Sequence, residues 1–323
     1  MIFLCFTAIL VLAISGQVFP SFLTRLVGDS RQQGLLLSAI FFFFPLSSVT
    51  AGVIADRVGK VRVVAFGLVL VALPLSLIAV FQSVWARTVT LLLFGIGGGI
   101  IESQSSALLT DISPARERSI MNLSQTLFSV GAATGPFLLA LIYTVTDRVS
   151  ITTVFWFLAA ANALLAASFL IARKPTSGSA DHEPLGLKKL LTDRTLLTLA
   201  LSIFLYAAAE MGTAAWLAKY GEIHLGISRE LAPMCIAVFW GSLGLSRAVV
   251  GLLSHRFTDR TILILALGIS IGAQLFAFSI KNSLPRYLSN STDVGVNPIN
   301  WSLTMSFAWK GIEFILTILG NLI

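Results

Sequence analysis

The stretch Gly52-Val53-Ile54-Ala55-Asp56-Arg57-Val58-Gly59-Lys60-Val61-Arg62 lies between two long apolar runs. A soluble protein has no use for that arrangement. It reads as a short charged loop at a membrane surface, closing one spanning helix and opening the next. Gly52 lets two helices approach closely. Asp56 is placed to accept hydrogen bonds at the start of the following helix, where the helix dipole favours negative charge. Arg57, Lys60 and Arg62 hold the loop at the polar face. A plain basic anchor would account for the cations but not for Gly52, Gly59 and Asp56.

Composition points the same way. Of 323 residues, 56% are hydrophobic and 11% charged, with mean hydropathy +0.89. Soluble domains carry about 25% charged residues. A span needs about 20 apolar residues to cross the hydrocarbon, and the chain repeats such runs many times. Helices are the workable form, because open strands in lipid leave backbone groups unpaired. We read spans at roughly 2–25, 33–55, 61–82, 86–110, 118–145, 151–172, 195–218, 228–253 and 261–280, with a weaker tenth at 302–322. The first residues could pass for a signal peptide, but no small-residue cleavage site follows and the spans continue at once. Cys5 and Cys235 sit far apart in apolar stretches and imply neither a disulfide framework nor a metal site.

Loop charges set the orientation. Twelve basic residues fall in the loops after spans 2, 4, 6 and 8, and eight on the opposite side. That bias puts the N-terminus and the even-to-odd loops in the cytoplasm, with the plasma (inner) membrane as the expected location. The net charge of +7 is therefore a membrane-orientation signal rather than a nucleic-acid footprint. Residues 173–194, with Pro175-Thr-Ser-Gly-Ser-Ala-Asp-His-Glu-Pro184, read as a cytoplasmic linker. It separates a six-helix bundle at 1–172 from a second set at 195–280. After Ile280 the sequence turns polar and irregular, so the second bundle is expected to be shortened, with a divergent tail at 281–323. Gly251…His255-Arg256 weakly echoes Gly52…Asp56-Arg57 at the corresponding place in the second half, and Arg256 is read there as a structural charge.

Two intramembrane acids carry the functional reading. Glu102 lies in Gly97-Gly-Gly-Ile-Ile-Glu102-Ser-Gln-Ser-Ser106. A carboxylate at a helix centre costs about 2.5–3.5 kcal/mol on insertion, so it faces a bundle interior or a wet cavity, and a proton relay is the default hypothesis. The alternative is a static acid bonded to Ser103, Ser106 or a neighbouring helix. Glu210, in Tyr206-Ala-Ala-Ala-Glu210-Met-Gly-Thr-Ala-Ala-Trp216, is the second proton-coupling candidate. Trp216 lies six residues on, offset by about 120° of arc. It reads either as a sugar-stacking platform or as an interfacial belt residue. Arg247 either pairs with Glu210 or snorkels to the surface. Asn122, Ser124 and Gln125 offer amide and hydroxyl groups to a polyol, or serve as interhelical glue. Gly131-x-x-x-Gly135-Pro136 and the run Gly95, Gly97, Gly98 and Gly99 read as small-residue packing faces. No Walker motif, zinc spacing or nucleophile elbow is present. No enzyme activity or cofactor is expected, and transport would run on an ion gradient.

The Gly52–Arg62 loop resembles the loop between helices 2 and 3 of the major facilitator superfamily of secondary transporters. Gly95-Ile-Gly-Gly-Gly…Glu102, Met121-Asn-Leu-Ser-Gln125, Gly131…Gly135-Pro136, Glu210…Trp216…Tyr220 and Phe239-Trp-Gly…Ser246-Arg247…Gly251 resemble its fucose-permease-type sugar transporters over residues 1–280. The resemblance implies an all-α membrane fold of two bundles with solute bound near the midplane between them. It implies proton coupling at Glu102, a conformational latch at Gly52, Asp56, Arg57, Gly59, Lys60 and Arg62, and solute contacts at Gln17, Asn122, Gln125 and Trp216. The family's helix 1 aspartate is absent: Ser15-Gly16-Gln17-Val18-Phe19-Pro20 carries no acid. Ser106 stands where an asparagine often follows the helix 4 glutamate. The expected partners are a small solute, protons and the bilayer. Drug efflux, and a non-transporting remnant or sensor with a shortened second half, are the competing readings.

Overall fold

The computed structural model describes residues 1–253 apart from 79, 82, 147–149, 173–191 and 225; beyond 253 it describes isolated positions only. Among the described residues every regular element is helical: α1 (Ile2–Leu26), α2 (Ser30–Val58), α3 (Lys60–Leu77), α4 (Val84–Ile112), a 3-10 turn (Pro114–Arg116), α5 (Glu117–Val145), α6 (Ile151–Ile171), α7 (Arg194–His224) and α8 (Pro233–Leu253). α1 to α4, α5 from Ser119, and α6 are each long and apolar enough to cross a membrane. Most of the expected span at 261–280, the span at 302–322, the tail at 281–323, the 173–191 part of the linker, and Arg256 lie outside the described residues.

Several boundaries differ from the sequence reading, for local reasons. α2 begins at Ser30 rather than 33 because Asp29 caps it, accepting from Arg31 N at 3.4 Å. It also runs on to Val58, so Asp56 and Arg57 belong to its last turn and the connection shrinks to Gly59. Gly59 has φ 97°, ψ 134°, a left-handed-side conformation that side chains disfavour, which explains the glycine at this corner. α3 stops at Leu77 instead of 82, and the Leu77 carbonyl accepts from Val80 N and Phe81 N, both at 3.0 Å. α7 continues to His224 instead of 218, with Gly221 packed on Cys235 of α8. α8 starts at Pro233 rather than 228, proline at the first helical position having no N–H to leave unpaired.

The chain divides into two units, Met1–Ala180 and Asp181–Ile323. In the first, α2 and α3 pack on α4, α1 packs on α5, and α3 packs on α6. Glycines set these approaches. A Cβ on Gly95 or Gly99 would run into α2, at the carbonyls of Ile40 and Phe44. Gly97 and Gly67 face each other across α3 and α4, and a Cβ on Gly131 would lie 2.5 Å from the Leu10 carbonyl on α1. The small-residue packing reading therefore holds for both glycine runs. Gly52 is a correction: a Cβ there would meet nothing within 4 Å, so it makes no close helix approach among the described residues.

Aromatic rings fill the space where α1, α4 and α6 meet. Phe19 packs edge-on to Phe94 at 4.9 Å and stacks on Phe155 at 5.5 Å. The outward faces are apolar, as a lipid-facing surface requires; on α6 these include Phe157, Leu164 and Leu170. Hydroxyls in the spans serve backbone carbonyls of their own helices, as Ser15 does for Val11 at 2.7 Å and Thr88 for Val84 at 2.8 Å. Asn162, fully buried, donates from Nδ2 to Ser15 Oγ at 3.1 Å and to the Leu158 carbonyl at 2.8 Å. That amide ties α6 to α1.

Candidate functional site

Glu102 sits ten residues before the end of α4, about 15 Å along the helix axis. The glycine run one turn earlier brings α4 close against α2. The side chain is half-buried. Gln125 Nε2 of α5 approaches Glu102 Oε1 at 3.5 Å, so an amide donor from the next helix faces the carboxyl group. The Ser103 hydroxyl donates instead to the Gly99 carbonyl at 2.8 Å, inside its own helix.

The remaining solute candidates do not all gather there. Asn122 is exposed and stands about one turn before Gln125 on α5. Ser124 is buried and donates to the Met121 carbonyl at 2.8 Å. Gln17 is 5% exposed on α1, and its Oε1 has no hydrogen-bond partner among the described residues. It lies at another level: Gly16 faces Phe94 on α4, eight residues before Glu102, which is about 12 Å of helix rise. Gln17 and Glu102 therefore sit on separate levels of the bundle.

In the second unit, Glu210 of α7 is 4% exposed and Arg247 of α8 approaches it, Nη2 to Oε1 at 4.0 Å. This is the pairing that the sequence left open beside snorkelling. Trp216, partly exposed, carries Lys219 Nζ over its ring at 5.0 Å from the centroid. One face of the expected stacking platform is thus taken by a cation from the next turn.

At the α2–α3 corner, Lys60 Nζ donates to Asp111 Oδ2 in the last turn of α4. Asp56, Arg57 and Arg62 are exposed. Asp56 does not cap α3: the N-cap position is Gly59, with no side-chain hydrogen bond, because Asp56 is still inside α2. Asp111 is the polar residue of this corner that the sequence reading missed. The signal was available: an acid before Ser113-Pro114, where α4 ends at the same membrane face as Lys60. Among the described residues no three His, Cys, Asp or Glu side chains cluster as a metal site would require.

A family model described as Major Facilitator Superfamily matches residues 1–316. The chain belongs to the Major Facilitator Superfamily. As a superfamily member it is similar over 177 residues, at 27% identity, to the tetracycline resistance protein, class D, of Salmonella ordonez. That match takes in 54% of this chain and 45% of the other protein, so the chain spans less than half the length of that curated relative. Among solved structures, the superfamily fold is shared with the E. coli fucose:proton symporter FucP, with TM-score 0.67 and 18% identity over 96% of this chain and 81% of that one. A D-xylose-proton symporter gives TM-score 0.68 at 14% identity, over 97% and 79% of the two chains. A bacterial homologue of the lysosomal transporter Spinster gives 0.69 at 15%, over 99% and 74%. At these identities the likeness is one of fold.

Proposed function

We propose that this superfamily member is a secondary transporter that moves a small, sugar-like solute by alternating access, with protons driving symport through Glu102. The observation that carries the reading is a half-buried carboxyl group in an apolar helix, faced by the Gln125 amide from the neighbouring helix. An acid in a membrane span is costly to insert, and a functional role is the default hypothesis for it. A carboxyl group that gains and loses a proton beside an amide has the parts for coupling proton movement to the binding of a hydroxyl-rich solute. Gln125 and Asn122 are the first solute contacts in this reading, with Gln17 deeper along α1 and Trp216 on α7. Glu210 is the second coupling acid, with Arg247 as its charge partner. Gly52, Asp56, Arg57, Gly59, Lys60 and Arg62 form the cytoplasmic latch, and the Lys60–Asp111 bridge anchors it to α4. The N-terminus lies in the cytoplasm and the membrane is the plasma (inner) membrane. The fold shared with fucose and xylose proton symporters supports a sugar as the first solute to try.

Uptake by proteoliposomes tests this. Radiolabelled L-fucose and D-xylose are supplied outside at acidic pH, with a neutral interior. Accumulation above the external concentration, abolished by a protonophore, is the expected result. Uptake no greater than in protein-free vesicles would remove the sugar reading.

A second reading, proton-driven drug efflux, is favoured by the sequence match to a tetracycline resistance protein. It predicts tetracycline uptake into everted vesicles with an acidic lumen, unaffected by excess sugar.

A further inference from the structure

We propose that Gln125 is a positioning residue whose side-chain amide turns over when Glu102 changes protonation state, and so carries that change to the solute path. The proposal rests on the reading of Glu102 as the proton site. Its basis is the contact between Gln125 Nε2 and Glu102 Oε1 at 3.5 Å, across α5 and α4.

The chemistry of the two groups dictates opposite arrangements. An ionised carboxylate only accepts hydrogen bonds, so it faces the amide NH2. A protonated carboxyl group offers one O–H donor, which suits the amide carbonyl instead. The step moves one proton from a hydronium ion to a Glu102 oxygen: the carboxyl O–H bond forms as an O–H bond of the hydronium breaks, and water leaves. Rotation of the Gln125 amide by about 180° about its last torsion exchanges Oε1 and Nε2, a torsion whose preference is broad and roughly two-fold. The half of the amide turned away from Glu102 changes from acceptor to donor. Both groups are half-buried, so the contact lies beside accessible space rather than in a sealed core. A solute hydroxyl placed against Gln125 therefore meets a different partner in each state. A two-state element biased from both sides is what coupling requires, and the bias is reciprocal.

Among the described residues, the ionic side chains on the helices packed against α4 belong to their terminal turns. They are Arg25 on α1, Arg31, Asp56 and Arg57 on α2, Lys60 and Arg62 on α3, and Glu117 on α5. On α4 itself Arg87 and Asp111 occupy the first and last turns. The neutral amide of Gln125 reaches Glu102 from α5.

Infrared difference spectroscopy of the full-length protein in liposomes, with protons as the sole added ligand, tests the proposal. Spectra at acidic and alkaline pH are subtracted for wild type, Glu102→Gln, Gln125→Met and Gln125→Asn. Wild type is expected to show a carboxyl band that Glu102→Gln removes, together with a side-chain amide band that both Gln125→Met and Glu102→Gln remove. The carboxyl band should shift in frequency in Gln125→Met. Gln125→Asn keeps the amide but is one methylene short, and should shift it in the same direction; it also serves if the methionine variant does not fold. A Glu102 band that persists unshifted in both Gln125 variants, with no amide band in wild type, overturns the proposal and leaves Glu102 as the proton site. Absence of any band removed by Glu102→Gln overturns the proton-site reading and the proposal with it.

Discussion

Gly59 and Glu102 show how far a single residue type reaches in this chain. Gly59 alone joins α2 to α3 at φ 97°, so any side chain there is strained. Gly59→Ala should destabilise the protein by about 1–2 kcal/mol, the cost of a left-handed conformation with a Cβ. Thermal unfolding in detergent should show a midpoint lowered by a few degrees. Glu102 was legible in the sequence because an acid in an apolar run is costly and therefore meaningful. Its Gln125 neighbour was legible only as a polar residue, since the spacing between α4 and α5 depends on packing that no local pattern states. Asp111 was missed because its partner Lys60 is 51 positions away, and only the shared membrane face brings them together. Lys60→Ala and Asp111→Ala should each remove the tie. The double variant should be no worse than either single one in a stability cycle, as expected of a coupled pair.

Helices were the most legible level, because each span must be apolar over a fixed length. Their ends were less so. Asp29 is a capping signal that the hydrophobic pattern hides, and Asp56-Arg57 looked like loop because charge usually marks one. In fact α2 carries them to its last turn and leaves a single glycine as the connection. The packing role of Gly95 and Gly99 was readable, but which helix they face was not. Gly52 shows the limit: its spelling suggested close approach, yet the space beside it is open. Two substitutions separate these cases. Gly99→Val should prevent α2 from docking on α4 and sharply reduce folded yield, because the Phe44 carbonyl and the Ser47 and Ser48 hydroxyls occupy the site. Gly52→Ala should leave stability unchanged or raise it by up to about 1 kcal/mol, since glycine inside a helix is unfavourable and nothing resists a methyl group. Chemical denaturation of the two purified variants distinguishes the outcomes. In α7 and α8, Glu210→Gln should destabilise through a stranded Arg247, and the Glu210→Gln/Arg247→Gln pair should recover much of the loss. A double variant as unstable as the sum of the single ones would deny that the two charges are partners.

For the whole molecule, composition and charge asymmetry pointed to an all-helical membrane protein before any element was placed, and the superfamily match over residues 1–316 agrees with that. The solute was not legible, because recognition depends on a few polar groups whose relative positions come from helix packing. Gln17 illustrates this: the resemblance implied a solute contact there as at Gln125, but it stands on a different level from Glu102. The proposed proton-driven mechanism requires that solute movement carry protons, and that Glu102 be the group that carries them. Proteoliposomes loaded with a pH-sensitive dye, given L-fucose or D-xylose without an imposed gradient, measure that directly. Wild type should acidify the lumen on sugar addition. Glu102→Gln should exchange labelled sugar across the membrane within about threefold of wild type while moving no protons. Sugar-dependent acidification that persists at the wild-type rate in Glu102→Gln would contradict it.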